Sequence, residues 1–331
     1  MSQTLLSAVQ PPPRLSLRKK LAFSLVTLVL VYGLFEVGLR TAFGWNQQWL
    51  DCHRGHPVLG WCLREGWAGE QSWTGGYSSI NAQGLRDDRP AGPKAPGEKR
   101  LLVLGDSVTF GATVRTDEAY PRVLEGELAR AGRPWRVLNA GVTSYDAAQE
   151  ADWLELFGWQ LEPDVVAIAF CRNDVYPSDR GNGRLRTATS APVCWLTEHS
   201  LATFCLERGL WYGRERLSRG LRRQSTPPSF GVVEEAYRGL SASARDHSVP
   251  VVLIVFPTRN LIEGRESDDY SERLQRLGQE FGWGVIDLDE AFRDDAASLF
   301  LPDDPVHPNA AGYRRAGQYL ARRLTEKDLL P

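Results

Sequence analysis

The chain of 331 residues has no internal repeat, no heptad array and no low-complexity tract beyond the short run Pro11-Pro12-Pro13. Repeat architectures are therefore excluded. An excess of one charge is also missing. The 39 basic and 41 acidic side chains leave a net charge of −2, without the basic footprint expected of a nucleic-acid partner. Histidine and cysteine are scarce, at five each. The nearest thing to a metal cluster is Cys52, His53, His56 and Cys62, and its spacing matches no common zinc template. No metal or cofactor is expected. Cys52 with Cys62 and Cys194 with Cys205 would close two short loops in an oxidising compartment, or remain as thiols, and Cys171 stands alone. What remains is ordinary for a globular protein, with 42% hydrophobic and 24% charged residues.

One long hydrophobic run is present. Arg14, Arg18, Lys19 and Lys20 precede Leu21 to Leu39, a stretch whose single charge is Glu36. As a helix it rises about 28 Å, close to the roughly 30 Å hydrocarbon core of a bilayer. The spacing allows Glu36 to pair with Arg40 one turn on. Leading basic residues keep residues 1–20 in the cytoplasm and export the domain beyond the run to the periplasm or outside. A cleaved signal sequence is the competing reading. However, the run exceeds a usual signal core, and its exit side lacks an A-x-A site.

Residues 46–98 are rich in glycine, tryptophan and polar residues and read as a loop-rich or short-stranded lead-in. A Pro/Gly/Ala stretch from Pro90 to Pro96 closes it as a candidate boundary. In residues 99–326 the pattern changes. Apolar runs Leu101–Leu104, Val137–Leu138, Val165–Phe170, Val251–Phe256 and Val285–Leu288 alternate with helical periods. The helical stretches are Ala119–Ala131, Ala147–Trp159, Val232–Arg245, Tyr270–Phe281 and Ala310–Leu324. Continuous apolar strands between helices predict an α/β fold, a five-stranded parallel sheet covered on both faces. The expected order is flavodoxin-like, 2-1-3-4-5, with ligands at the carboxyl ends of the first three strands. Residues 176–229 interrupt this alternation. They hold nine arginines between Arg180 and Arg223, with Trp195, Phe204 and Trp211, and read as a partly helical cap whose aromatics form local core.

The first strand ends in Gly105-Asp106-Ser107, which sets a serine hydroxyl at the ligand edge. Serine needs a base to become a nucleophile. Asp304-Pro305-Val306-His307, between the fifth strand and the last helix, supplies one: Asp304 to hold one ring nitrogen and His307 to face Ser107 with the other. The second strand runs into Asn139-Ala140-Gly141 and the third into Cys171-Arg172-Asn173-Asp174. The N–H groups of Ser107 and Gly141 and the amide of Asn173 are the expected oxyanion donors. Buried Cys171 has no assigned base and reads as a small core side chain.

Taken together, these four blocks resemble the SGNH/GDSL hydrolase superfamily in order and spacing over residues 100–325. The run Asn81-Ala82-Gln83-Gly84-Leu85-Arg86-Asp87 is similar to the start of its membrane-anchored bacterial members. One departure is Cys171, where the family's third block carries glycine. The resemblance implies a three-layer α/β/α hydrolase domain with Ser107 as nucleophile, His307 as base, Asp304 as orienter, and Gly141 and Asn173 as oxyanion donors beside the Ser107 amide. It implies a serine esterase acting on acyl esters of a glycan, lipid or small molecule. Acyl transfer to a polysaccharide hydroxyl and a non-catalytic glycan- or lipid-binding domain are the alternatives.

Overall fold

Five apolar runs come together as one parallel sheet because each can bury both of its faces. They are β5 (Lys99–Gly105), β6 (Trp135–Gly141), β7 (Val165–Phe170), β8 (Val251–Val255) and β9 (Gly284–Asp287), and they lie in the order β6-β5-β7-β8-β9. This is the doubly wound arrangement expected from the sequence. The computed structural model describes residues 16–43, 52–71, 76–175, 191–206, 229–267 and 269–331. The expected cap is thus described only at 191–206 and 229, and Trp211 lies outside the described residues.

Strand periodicity of two divides the apolar side chains between the faces. Leu101 and Val103 of β5 pack with α3 (Tyr120–Arg130) and the last helix, Ala310–Glu326, through Leu124, Leu128, Leu320 and Leu324. Leu102 and Leu104 face α4 (Ala147–Trp153) together with the helices Phe230–Asp246 and Tyr270–Phe281, through Trp153, Tyr237, Leu240 and Leu274. Side-chain caps set where two of these helices begin. Asp146 accepts from the Gln149 N–H at the start of α4, and Asn309 accepts from Ala311 and Gly312 at the start of the last helix.

The lead-in forms two small antiparallel hairpins, β1 (His53–His56) with β2 (Gly60–Leu63) and β3 (Ala68–Glu70) with β4 (Tyr77–Ser79). Its Leu59, Trp61, Leu63, Ile80 and Leu85 belong to the same apolar core as Leu102 and Leu104. The Pro90–Pro96 stretch is therefore no boundary between separate cores. Cys52 and Cys62 are both buried thiols, with Cys62 registered opposite Arg54. The second expected pair involves Cys194, whose side chain lies outside the described residues. The first helix, α1 (Leu17–Phe43), reaches a mean hydropathy of 2.0 over its most apolar 18 residues and is long and apolar enough to cross a membrane or serve as a signal sequence.

Candidate active site

The turn out of β5 is built to present Ser107. Asp106 caps the single helical turn α2 (Ser107–Phe110), its carboxylate accepting the Val108 N–H at 2.8 Å. The residues at the far end of the chain reach it through a hairpin in which β10 (Phe300–Leu301) pairs with β11 (Asp304–Pro308). Thr113 donates its hydroxyl to the Pro308 carbonyl at 2.9 Å, and the Arg259 guanidinium donates to the Leu301 and Pro302 carbonyls at 2.8 and 3.0 Å. Held this way, His307 Nε2 lies 2.8 Å from Ser107 Oγ, and His307 Nδ1 lies 2.6 Å from Asp304 Oδ2. The other Asp304 oxygen accepts the backbone N–H groups of Val306 and His307, at 2.8 and 3.1 Å. Those two bonds fix the carboxylate so that its free edge meets the ring.

Burial and charge oppose each other here. Burial pushes the Asp304 carboxyl up, but the hydrogen bond and charge of His307 and the two backbone donors outweigh it and hold the group at about 2. Burial likewise lowers His307, and the Asp304 hydrogen bond and negative charge more than reverse this, leaving the imidazole above its ordinary value of 6.5. Asp106 adds to the rise. Its own carboxyl is buried and raised for that reason, against the opposing effects of the Val108 N–H, the His307 charge and the Asn173 amide.

The expected oxyanion donors divide. Asn173 sits in the helical turn Arg172–Val175 after β7, and its amide nitrogen donates to the Tyr145 carbonyl at 3.2 Å. An amide carries two N–H donors, and the other is directed to the Asp106 carboxylate beside Ser107. Gly141 is different. Its N–H donates to Asn139 Oδ1 at 3.0 Å, which corrects its expected place among the donors. Glycine is required there for space, since a Cβ would lie 2.3 Å from the Phe110 nitrogen. Three residues on, Ser144 takes the left-handed conformation with φ 63°. The N–H groups of Ser144 and Ser107 have no acceptor among the described residues.

Behind Asn173 lies a buried acidic cluster. Asp174 accepts the Cys171 N–H at 2.8 Å, and both oxygens of Glu150 are buried with no hydrogen-bond partner among the described residues. Burial pushes the Cys171 thiol well up, and the charges of Asp106 and Asp174 add to this, so the group stays a protonated core side chain.

Sequence reasoning missed the residues that hold the site from the lead-in. The Arg86 guanidinium donates to the carbonyls of Phe110, Gly111 and Val114, and so clamps the turn that comes after Ser107. Gly111 makes room for it, since a Cβ there would lie 2.4 Å from the guanidinium. Arg86 is almost wholly buried, which lowers it to about 10. On the other side, His53 Nε2 lies 2.6 Å from Thr143 Oγ1, Trp61 donates to the Thr143 carbonyl at 3.0 Å, and Tyr145 donates to the Trp61 carbonyl at 2.6 Å. These bonds fix the loop that carries Ser144. The resemblance of residues 81–87 to membrane-anchored relatives was the available signal for Arg86. Nothing in the local pattern marked His53.

Comparison with known proteins places this geometry in a class. A family model for the GDSL-like lipase/acylhydrolase family matches residues 103–315. The chain belongs to that family, and it is a carboxylic ester hydrolase with a five-stranded parallel sheet between helices. Among solved structures it is similar to a lipolytic protein of the G-D-S-L family from Desulfitobacterium hafniense, with 16% identity and a TM-score of 0.45 over 68% of this chain and 99% of that one. It is also similar to a catalytic mutant of the acetylxylan esterase Axe2 from Geobacillus stearothermophilus, with 18% identity and a TM-score of 0.44 over 68% and 93%. No curated protein sequence matches the chain.

Proposed function

We propose that the chain is a membrane-anchored serine esterase that cleaves O-acetyl or other acyl esters of a cell-envelope glycan or lipid, through an acyl-enzyme on Ser107. The observation that carries this reading is the continuous relay from Ser107 Oγ to His307 Nε2 at 2.8 Å and from His307 Nδ1 to Asp304 at 2.6 Å. Ser107 Oγ attacks the ester carbonyl while its proton passes to His307 Nε2. Asp304 holds the ring and stabilises the imidazolium that forms. The tetrahedral oxyanion is received by the N–H groups of Ser107 and Ser144, donors already oriented before charge develops, and by the Asn173 amide as its donor to Asp106 turns to the oxyanion. His307 then gives its proton to the departing alcohol. Water, deprotonated by the same ring, attacks the acyl group and releases Ser107.

Residues 1–20 stay in the cytoplasm in this reading, Leu21 to Leu39 cross the bilayer, and the catalytic domain lies outside. No step draws on a metal or cofactor. The full chain in detergent micelles is expected to hydrolyse p-nitrophenyl acetate. Ser107→Ala is expected to lower kcat/KM at least about ten-thousandfold, as loss of a nucleophile does elsewhere, with the melting temperature unchanged. Near-normal turnover in that variant would remove Ser107 from the chemistry. A sugar hydroxyl that outcompetes water for the acyl group would instead mark a transferase.

A further inference from the structure

Glu36 is the one charge in the apolar stretch 21–39, and it has more partners than the Arg40 expected from spacing. Besides that ion pair, its carboxylate accepts the N–H groups of Leu201 and Ala202 at 3.0 and 2.7 Å and the Ser200 hydroxyl at 2.8 Å. Arg40 in turn donates to the His199 carbonyl at 2.7 Å, and the Tyr32 hydroxyl meets those of Ser200 and Thr203. The elbow between α5 (Ala191–His199) and the helical residues 201–206 is therefore held by three side chains of α1. Tyr32 lies seven residues before Leu39, about 10 Å down the helix axis. With residues 21–39 in hydrocarbon, Ser200 and Thr203 must sit below the surface of the bilayer.

We propose that residues 191–206 form a second membrane-seated element, sunk into the leaflet from which α1 emerges, with Trp195, Leu196 and Leu206 in contact with lipid. The proposal rests on the reading of α1 as a membrane span. Three features support it beyond depth. The elbow's backbone groups are met by Glu36 and Arg40, and exposed polar backbone is what hydrocarbon does not tolerate. The exposed side of the element carries large apolar side chains: Thr197, Ser200, Leu201 and Ala202 are buried, while Trp195, Leu196 and Leu206 are 58%, 42% and 61% exposed. The expectation that Trp195 belongs to local core is corrected by the same figures. Finally, α1 exposes Leu34 and Phe35 in the turn between Tyr32 and Glu36, the residues that bind the elbow, and tryptophan at the level of the bilayer surface suits the interface.

The consequence reaches the site. Helix α5 packs on β1, whose His53 holds Thr143 beside Ser144. The loops around Ser107 are thereby kept close to the bilayer, where an acyl ester presented at the membrane surface would meet them. The full chain is tested in phosphatidylcholine proteoliposomes with benzoylphenylalanine introduced singly at Leu28, Trp195, Leu206 and Glu290, and then irradiated. Lipid adducts are expected at Leu28, Trp195 and Leu206 and not at Glu290. Glu36→Ala is expected to reduce adducts at Trp195 and Leu206 severalfold while leaving that at Leu28. Adducts at Leu28 alone would overturn the second element and leave the anchor standing. Absence at Leu28 would overturn the anchor and, with it, the proposal. Crosslinks at Trp195 and Leu206 to a second copy of the chain would assign these side chains to a dimer and overturn lipid contact.

Discussion

The sheet and the lead-in divide the work of the site in opposite ways. In the proposed reaction, strand ends of the sheet carry the groups that exchange protons and charge, Ser107, Asn173 and, through the β10–β11 hairpin, His307 and Asp304. The lead-in contributes no such group, yet Arg86 grips the turn after Ser107 and His53 and Trp61 grip the loop at Thr143. One region supplies reactivity and the other supplies position. Substitutions in the first should therefore change turnover at constant stability, and substitutions in the second should change both.

The largest effect after loss of the nucleophile is expected at Asp304. Asp304→Asn keeps the backbone-facing oxygen but removes the charge that holds His307 in the right tautomer, and should lower kcat about ten-thousandfold with no large change in melting temperature. The pH profile sharpens this. His307 must be neutral to take the serine proton, and its pKa lies above 6.5 because of Asp304. In the native chain kcat/KM should thus fall as pH drops through that raised value. In Asp304→Asn the acid limb should move to lower pH. An unmoved limb would detach Asp304 from the ring. Asn173→Ala should cost about a hundredfold to a thousandfold in kcat, with KM little changed. A pure KM effect would place the amide on the bound substrate instead of the transition state.

The lead-in is tested at Arg86. Arg86→Leu leaves the carbonyls of Phe110, Gly111 and Val114 without their donor inside the core. Each buried orphan of this kind costs about 1–3 kcal/mol, so the melting temperature should fall by many degrees, and the turn bearing Ser107 should loosen enough to lower kcat. Arg86→Lys, which offers a point charge in place of a planar fork, should recover only part of either. A full loss of turnover with unchanged melting would contradict the division between the two regions and make Arg86 part of the chemistry.

The same division explains what could be read from sequence. The five strands were legible because parallel strands buried on both faces must be continuously apolar, and Tyr270–Phe281 was legible to the residue from its helical period. Ser107 was legible as a serine just after a strand with Asp106 beside it, and His307 as a histidine three residues from Asp304 before the last helix, although it lies within the short strand β11 and not in a loop. Gly141 was misread because a glycine marks either an open N–H or a close approach, and only coordinates show the Phe110 nitrogen where a Cβ would be. Ser144 carries no mark at all, since its left-handed backbone is imposed by the bonds of Thr143 and Tyr145 on either side. The partners of Arg86, His53 and Glu36 that bind the Ser107 turn, Thr143 and the elbow lie 24 to 166 residues away, a distance over which periodicity and turn chemistry say nothing.

The smallest expected effect lies on α4, where the two regions meet. Gln149 faces the lead-in, donating to the Leu59 carbonyl at 2.7 Å, while its neighbour Glu150 is buried toward Asp174 without a hydrogen-bond partner among the described residues. Burial first, then the charges of Asp174, Asp106 and Asp146, push the Glu150 carboxyl well above 4.5. A carboxyl raised in the folded state binds its proton more tightly there than in the unfolded chain. The folded state is therefore not penalised below about 4.5, and it loses stability as pH rises above that value, until the folded group also ionises. Glu150→Gln removes this loss. Its melting temperature should exceed the native value at pH 8 by about 2–4 °C, the shift of roughly 1 kcal/mol in a domain of this size, and should match it near pH 4. Turnover should be unchanged, because the side chain touches neither Ser107 nor His307. A variant that melts lower at pH 8 would show that Glu150 is ionised and partnered in the folded chain. The buried acids behind Asn173 would then be part of the positioning apparatus, and the line between reactivity and position would have to be redrawn through α4.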